Sequence, residues 1–121
     1  MFATEVEHDG STPMPVGEWE APENRYHTID ASHLFPQYKR AFYLKLPPRT
    51  GIHAHVDSGD VETDHIVIET NSMCMNWWID ESGKECSMHM EKGKRYKVNR
   101  KLMHWAVNNG ETDRIHLLLE Y

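Results

Sequence analysis

From residue 41 onward the chain is a succession of short segments in which apolar and polar residues alternate, each cut off by turn residues. Nowhere does an apolar repeat of helical period persist for the ten or more positions a helix needs. Ala41-Phe42-Tyr43-Leu44-Lys45-Leu46 sets Phe42, Leu44 and Leu46 on one face and Tyr43 and Lys45 on the other, and Pro47-Pro48 ends the pairing. His65 to Thr70, Met73 to Ile79, Cys86 to Met90, Tyr96 to Val98, His104 to Val107 and Arg114 to Tyr121 continue the series. The turn signals Asn71-Ser72, Ser82-Gly83, Lys92-Gly93 and Asn108-Asn109-Gly110 separate these runs. Many short strands at regular spacing predict an all-β jelly roll of about eight strands. On the last of these strands, Arg114, His116 and Leu118 share one side, and Ile115, Leu117 and Leu119 the other.

A chain of 121 residues makes one domain. Residues 1–25, rich in Pro, Gly, Ser and Glu beyond Asp9 and with Trp19 as the large apolar residue of that stretch, are expected to form an irregular N-terminal arm. Residues 26–121 form the barrel domain, beginning with an edge strand and a short turn between Tyr26 and Lys39. The formal net charge of −6 disfavours a polyanionic partner, so nucleic acid is not expected. Met1 to Gly10 has neither a basic region nor an apolar core, and no segment reaches the length of a membrane span. A soluble, cytoplasmic protein is expected. Two cysteines, Cys74 and Cys86, are too few for a disulfide-built scaffold and read as free thiols packed as small hydrophobes.

The chemistry concentrates in His55-Val56-Asp57, His104 and Arg114. Residues i and i+2 of an extended segment point the same way, so His55 and Asp57 face the interior together, and a barrel brings the strand opened by His104 alongside them. Two imidazoles and one carboxylate on one face of an octahedral ion leave positions open, the arrangement of non-haem Fe(II) oxygenases. Nine histidines make a lone His-x-Asp a common accident, whereas the order of the whole set is one that chance rarely gives. Arg114, in a strand dense with apolar residues, needs a counter-charge, which either Asp113 or Glu120 supplies at a sheet edge or the distal carboxylate of 2-oxoglutarate supplies to its fork of N–H donors.

From about Ala41 to the C-terminus the sequence resembles the aspartyl/asparaginyl β-hydroxylase-like branch of the Fe(II)/2-oxoglutarate oxygenases. The resemblance is carried by Pro47-Pro48 before Gly51-Ile52-His53-Ala54-His55-Val56-Asp57, by His65 to Asn71, and by Gly93, Tyr96 and Asn99. Its most specific stretch is His104-Trp105-Ala106-Val107-Asn108-Asn109-Gly110 followed by Asp113-Arg114-Ile115-His116-Leu117. The resemblance implies a double-stranded β-helix, Fe(II) ligands at His55, Asp57 and His104, and Arg114 on the distal carboxylate of 2-oxoglutarate. It also implies His65 near the keto-acid end, dioxygen as oxidant, and hydroxylation of an aspartyl or asparaginyl side chain or a small molecule, with release of succinate and carbon dioxide. Thr63 stands where the family often has an arginine, which leaves the grip on the keto acid as the point of departure.

Two other readings stay open on the residues alone. A cupin needing no keto acid would use His53, His55, Glu62 and His104 as ligands, though the Glu lies late and the Pro-x-Gly expected before the distal His is missing. A non-catalytic barrel would bind a ligand or partner with its histidines structural. Around the mouth, Tyr43, His53, Trp77, Trp78, His89 and Trp105 are candidates for substrate contact, with one of Trp77 and Trp78 facing inward. The methionines of Met73 to Met75 and Met88 to Met90 read as core filling.

Overall fold

The computed structural model describes residues 2–8, 12, 26–57 and 62–121. Its ten strands are Ala3–Val6 (β1), His27–Asp30 (β2), Arg40–Leu46 (β3), Thr50–His55 (β4), Thr63–Glu69 (β5), Cys74–Ile79 (β6), Glu85–Met88 (β7), Arg95–Val98 (β8), His104–Asn108 (β9) and Arg114–Glu120 (β10). One turn of 3-10 helix, Ser32–Leu34, follows β2. Two antiparallel sheets result, one in the order β1-β8-β5-β10-β3-β2 and one in the order β4-β9-β6-β7. This is the jelly roll expected from the alternation, with more strands than the eight read from sequence.

One added strand comes from the expected arm. Ala3 pairs with Val98 and Val6 with Arg95, so β1 closes one edge of the larger sheet. Phe2 and Ala3 are buried with Val67, Met90, Tyr96 and Val98. Four residues are too few to show a period, which is why the sequence did not announce this strand. The rest of the expected arm, residues 1, 9–11 and 13–25 with Trp19, lies outside the described residues. The edge strand and turn expected between Tyr26 and Lys39 are β2 and the 3-10 turn.

Alternation along β10 divides the molecule. Ile115, Leu117 and Leu119 face away from the small sheet and pack with Tyr43, Ile66 and Ile68, under a cover of Ala31, Phe35 and Tyr38. Tyr43 is therefore 1% exposed on the structural side, and its place as a mouth residue is corrected. Arg114, Leu118 and Glu120 line the space between the sheets.

The corner that carries the chain from β3 to β4 fixes how the sheets meet. Pro47 cannot donate to a ladder, and Arg49 takes a positive φ of 57° to turn the backbone. Asn108, wholly buried, donates through Nδ2 to the carbonyls of Leu46 (2.9 Å), Pro47 (3.2 Å) and Thr112 (2.8 Å). Its Oδ1 accepts from the Gly110 amide at 3.0 Å. A Cβ at Gly110 would overlap the Asn71 amide and displace it from its hydrogen bonds to Asn108 and Thr112. One side chain thus ties the β3–β4 corner to the β9–β10 turn that delivers Arg114.

Candidate metal centre and cavity

The end of β4 and the start of β9 lie side by side, with His55 paired to His104. Ile52 and His55 are three positions apart, while their partners Ala106 and His104 are two apart, so β4 carries a bulge at His53 and Ala54. The extra residue reverses the facing of the strand. His55 turns inward, and His53 lies exposed with Ala54 on the outer surface. Asp57, just past the strand, returns to the interior and hangs its backbone N–H on the Arg100 carbonyl at 3.2 Å.

One ligand atom from each of His55, Asp57 and His104 falls within 4.8 Å of the others. The His55 Nδ1–H donates to the His53 carbonyl and the His104 Nδ1–H to the Leu102 carbonyl, each at 2.7 Å. These bonds fix both tautomers so that each Nε2 presents a lone pair. His55 Nε2 lies 3.6 Å and His104 Nε2 3.3 Å from the Asp57 carboxylate. Burial holds the His104 imidazole below its ordinary pKa, which keeps it neutral as a ligand must be. Two neutral imidazoles and a carboxylate suit a divalent transition ion with positions left open.

The other proposed ligands do not join them. His53 faces outward across the bulge, and Glu62 pairs with Lys97 Nζ at 3.2 Å. The four-residue cupin set His53, His55, Glu62, His104 is therefore not assembled, because the bulge breaks the shared facing that His-x-His requires in a regular strand.

The triad opens into a cavity of about 390 Å³ between the sheets. Arg114 lines it, 1% exposed, and its Nη2–H donates to Asn76 Oδ1 at 3.0 Å, while Nη1 has no hydrogen-bond partner. No carboxylate among the described residues pairs with it. Burial draws the guanidinium down to about 10, still charged at neutral pH. A buried cation in the wall of a cavity, with part of its N–H edge unused, is costly unless an anion completes it. His65 also lines the cavity, its Nδ1 3.0 Å from Nδ1 of His116. Burial first, then the positive charge of Arg114, lowers His65 to about 3. Thr63, at the family's arginine position, lines the cavity with a buried Oγ1 that has no partner.

Residues that the sequence did not single out complete the site. Arg100 donates from Nε to Asp57 Oδ2 at 3.1 Å, and its Nη1 and that of Arg40 each lie 3.8 Å from Glu120 Oε1. These three side chains stand at the same cavity. An arginine in a turn and an asparagine in a strand carry no spacing signal, so neither Arg100 nor Asn76 was legible. Of the expected mouth residues, Trp78 faces inward and stacks on Phe2 with ring centroids 5.2 Å apart. Trp77 faces outward, stacked on Trp105 at 6.1 Å. His89 bonds the Cys74 carbonyl at 2.8 Å. Cys74 and Cys86 are free. Met90 is buried in the core, but Met73 is exposed, correcting its part in core filling.

A jelly roll with two imidazoles and a carboxylate gathered at an inter-sheet cavity defines a protein of cupin fold with a candidate metal centre. Solved structures bear out the fold. The chain aligns with a predicted oxalate decarboxylase from Thermotoga maritima at 16% identity and a TM-score of 0.54, over 78% of each chain. It aligns with a recombinant oxalate oxidase in complex with glycolate at 13% identity and a TM-score of 0.65, over 95% of this chain and 61% of that one. A cupin domain of an XRE family transcriptional regulator from Enterobacter cloacae aligns at 11% identity and a TM-score of 0.55, over 79% and 95%. A search of curated proteins finds no significant match. The family model for aspartyl/asparaginyl beta-hydroxylase matches residues 23–121, and the chain belongs to that family.

Proposed function

We propose that this protein is an Fe(II)- and 2-oxoglutarate-dependent oxygenase that hydroxylates a C–H bond of an aspartyl- or asparaginyl-like side chain or of a small molecule. The observation that carries the reading is the buried, partly unpartnered guanidinium of Arg114 in the cavity that the His55, Asp57 and His104 ligand atoms adjoin. The donor set fits ferrous iron, and the orphaned N–H edge fits one end of a dicarboxylic acid. When bound, the iron supplies the activation of dioxygen that couples conversion of 2-oxoglutarate to succinate and carbon dioxide with substrate hydroxylation.

The chain's own residues do the rest. His55 and His104 are held in their ligating tautomers by backbone carbonyls, and Arg100 steadies the Asp57 carboxylate. Arg114, steadied by Asn76, takes the distal carboxylate of the co-substrate. Phe42, Leu44, Ile52 and Leu118 wall the cavity and limit the water that reaches its reacting end. Arg40, Arg100 and Glu120, in the wall of the same cavity, offer charged contacts to the prime substrate.

Anaerobic thermal-shift titration with Mn(II) or Fe(II) and 2-oxoglutarate tests the reading. The keto acid is expected to raise Tm only when metal is present. Asp57→Ala and His104→Ala are expected to lose metal stabilisation, and aerobic turnover of the loaded protein to release succinate. Stabilisation by 2-oxoglutarate that is indifferent to metal, or absent altogether, overturns the reading.

A further inference from the structure

Beside the cavity lies a group to which the proposed chemistry gives no part. His116 is wholly buried on β10, and its Nδ1 meets Nδ1 of His65 at 3.0 Å. Its Nε2 is buried with no partner. Two nitrogens that meet in this way share one proton: one ring donates and the other accepts. Which ring donates decides what His65 offers to the cavity, because its Nδ1 is committed and Nε2 is the polar atom that remains.

If His65 were the donor, His116 would carry its own proton on Nε2, an N–H buried without an acceptor. His65 would then show the cavity a bare lone pair. If His116 is the donor, its Nε2 is a lone pair and the proton of His65 sits on Nε2. Arg114 lies two residues before His116 on the same strand and bears on both rings as a positive charge. A neighbouring cation favours a lone pair over an N–H, and a buried orphan donor is the rarer fault. Burial keeps both rings neutral, so neither carries a second proton.

We infer that His116 is a positioning residue that sets the tautomer of His65, so that His65 presents Nε2–H as a hydrogen-bond donor to an anionic ligand in the cavity. A neutral ring locked as a donor grips a carboxylate or keto oxygen and does not compete for metal as a free lone pair would. This supplies polar grip close to where Thr63 leaves no guanidinium. The use made of the donor rests on the 2-oxoglutarate reading, whereas the tautomer stands independently of it.

Long-range proton–nitrogen NMR on the Zn(II)-loaded, ¹⁵N-histidine-labelled protein reads the tautomer directly. The His65 signals are expected to show protonated Nε2 and unprotonated Nδ1, with the reverse pattern at His116. The opposite assignment overturns the inference, whatever the protein binds. Two variants give the functional readout. His116→Asn places an amide N–H where Nδ1–H stood and should keep the His65 pattern, with affinity for 2-oxoglutarate within about twofold of the parent. His116→Phe should release His65 into mixed tautomers and weaken 2-oxoglutarate binding by about tenfold, with Zn(II) affinity unchanged. If His116→Asn loses as much affinity as His116→Phe while both remain folded, the ring acts by packing and the inference fails. Failure of the parent protein to bind 2-oxoglutarate strikes the proposed co-substrate instead, and the NMR assignment still decides the tautomer.

Discussion

The two faces of the larger sheet are built from the same strands to opposite standards. On the outer face Ile66, Ile68, Ile115, Leu117 and Leu119 pack against Tyr43 and the cover of Phe35 and Tyr38, and the charged Asp64 at its margin is bound through Oδ2 by Arg95 and the Tyr121 hydroxyl, with Oδ1 left as that margin's one orphan among the described residues. On the inner face Thr63 Oγ1, Arg114 Nη1 and His116 Nε2 are buried without partners. A protein tolerates such orphans where something else is meant to complete them. The outer face holds the fold together, and the inner face spends part of that stability on a preorganised site.

Substitution on β10 should separate these roles most strongly. Leu117→Ala, wholly buried on the outer face, is expected to lower unfolding stability by about 2–5 kcal/mol in urea titration, while metal affinity of the folded protein stays unchanged. Arg114→Met on the inner face should leave stability equal or higher, since it removes a buried charge without a counter-ion. The same change should weaken 2-oxoglutarate binding about a hundredfold by calorimetry. Arg114→Met destabilising the protein as much as Leu117→Ala would erase the distinction.

Acidification probes the inner face by itself. His65 titrates at about 3 in the folded protein, and His116 is also held low, both chiefly by burial. Unfolding returns them toward 6.5, so the unfolded chain takes up protons that the folded one refuses as pH falls below that value. Their contribution is unpenalised above pH 6.5 and is lost progressively as pH falls, by up to about 1.4 kcal/mol per pH unit for each ring, the His65 share being lost by about pH 3. Urea midpoints at pH 7, 6 and 5 check this against His65→Phe, which should shed part of the slope; an unchanged slope would mean that the pair is not held neutral. The smallest effect is expected at Arg100. Arg100→Gln should weaken metal binding by about tenfold through the loosened Asp57 carboxylate, measured by competition with a chromophoric chelator.

Several of these parts were readable in advance. The alternation of Ala41 to Leu46 and of Arg114 to Glu120 assigned both faces of β3 and β10, because period-two patterning is a direct consequence of strand geometry. The convergence of His55, Asp57 and His104 was anticipated from their order, and the structure brings them together. The bulge in β4 was not legible, since it is defined by register against β9 and nothing in His53-Ala54-His55 marks it. That single extra residue separates His53 from His55 and dismantles the rival ligand set. Asn108 stands in the most specific stretch of the sequence, but its work of joining two turns depends on Leu46, Pro47 and Thr112 coming near it in the fold.

The sequence by itself determined the all-β class, the segments that pair and the residue types able to hold a metal, because these follow from local periodicity and side-chain chemistry. Tertiary structure alone decided which histidines face inward, which guanidinium steadies Asp57 and which buried nitrogens lack partners. Those outcomes depend on strand register and on groups distant in the chain meeting across two sheets, where a shift of one residue reverses the side to which every following side chain points.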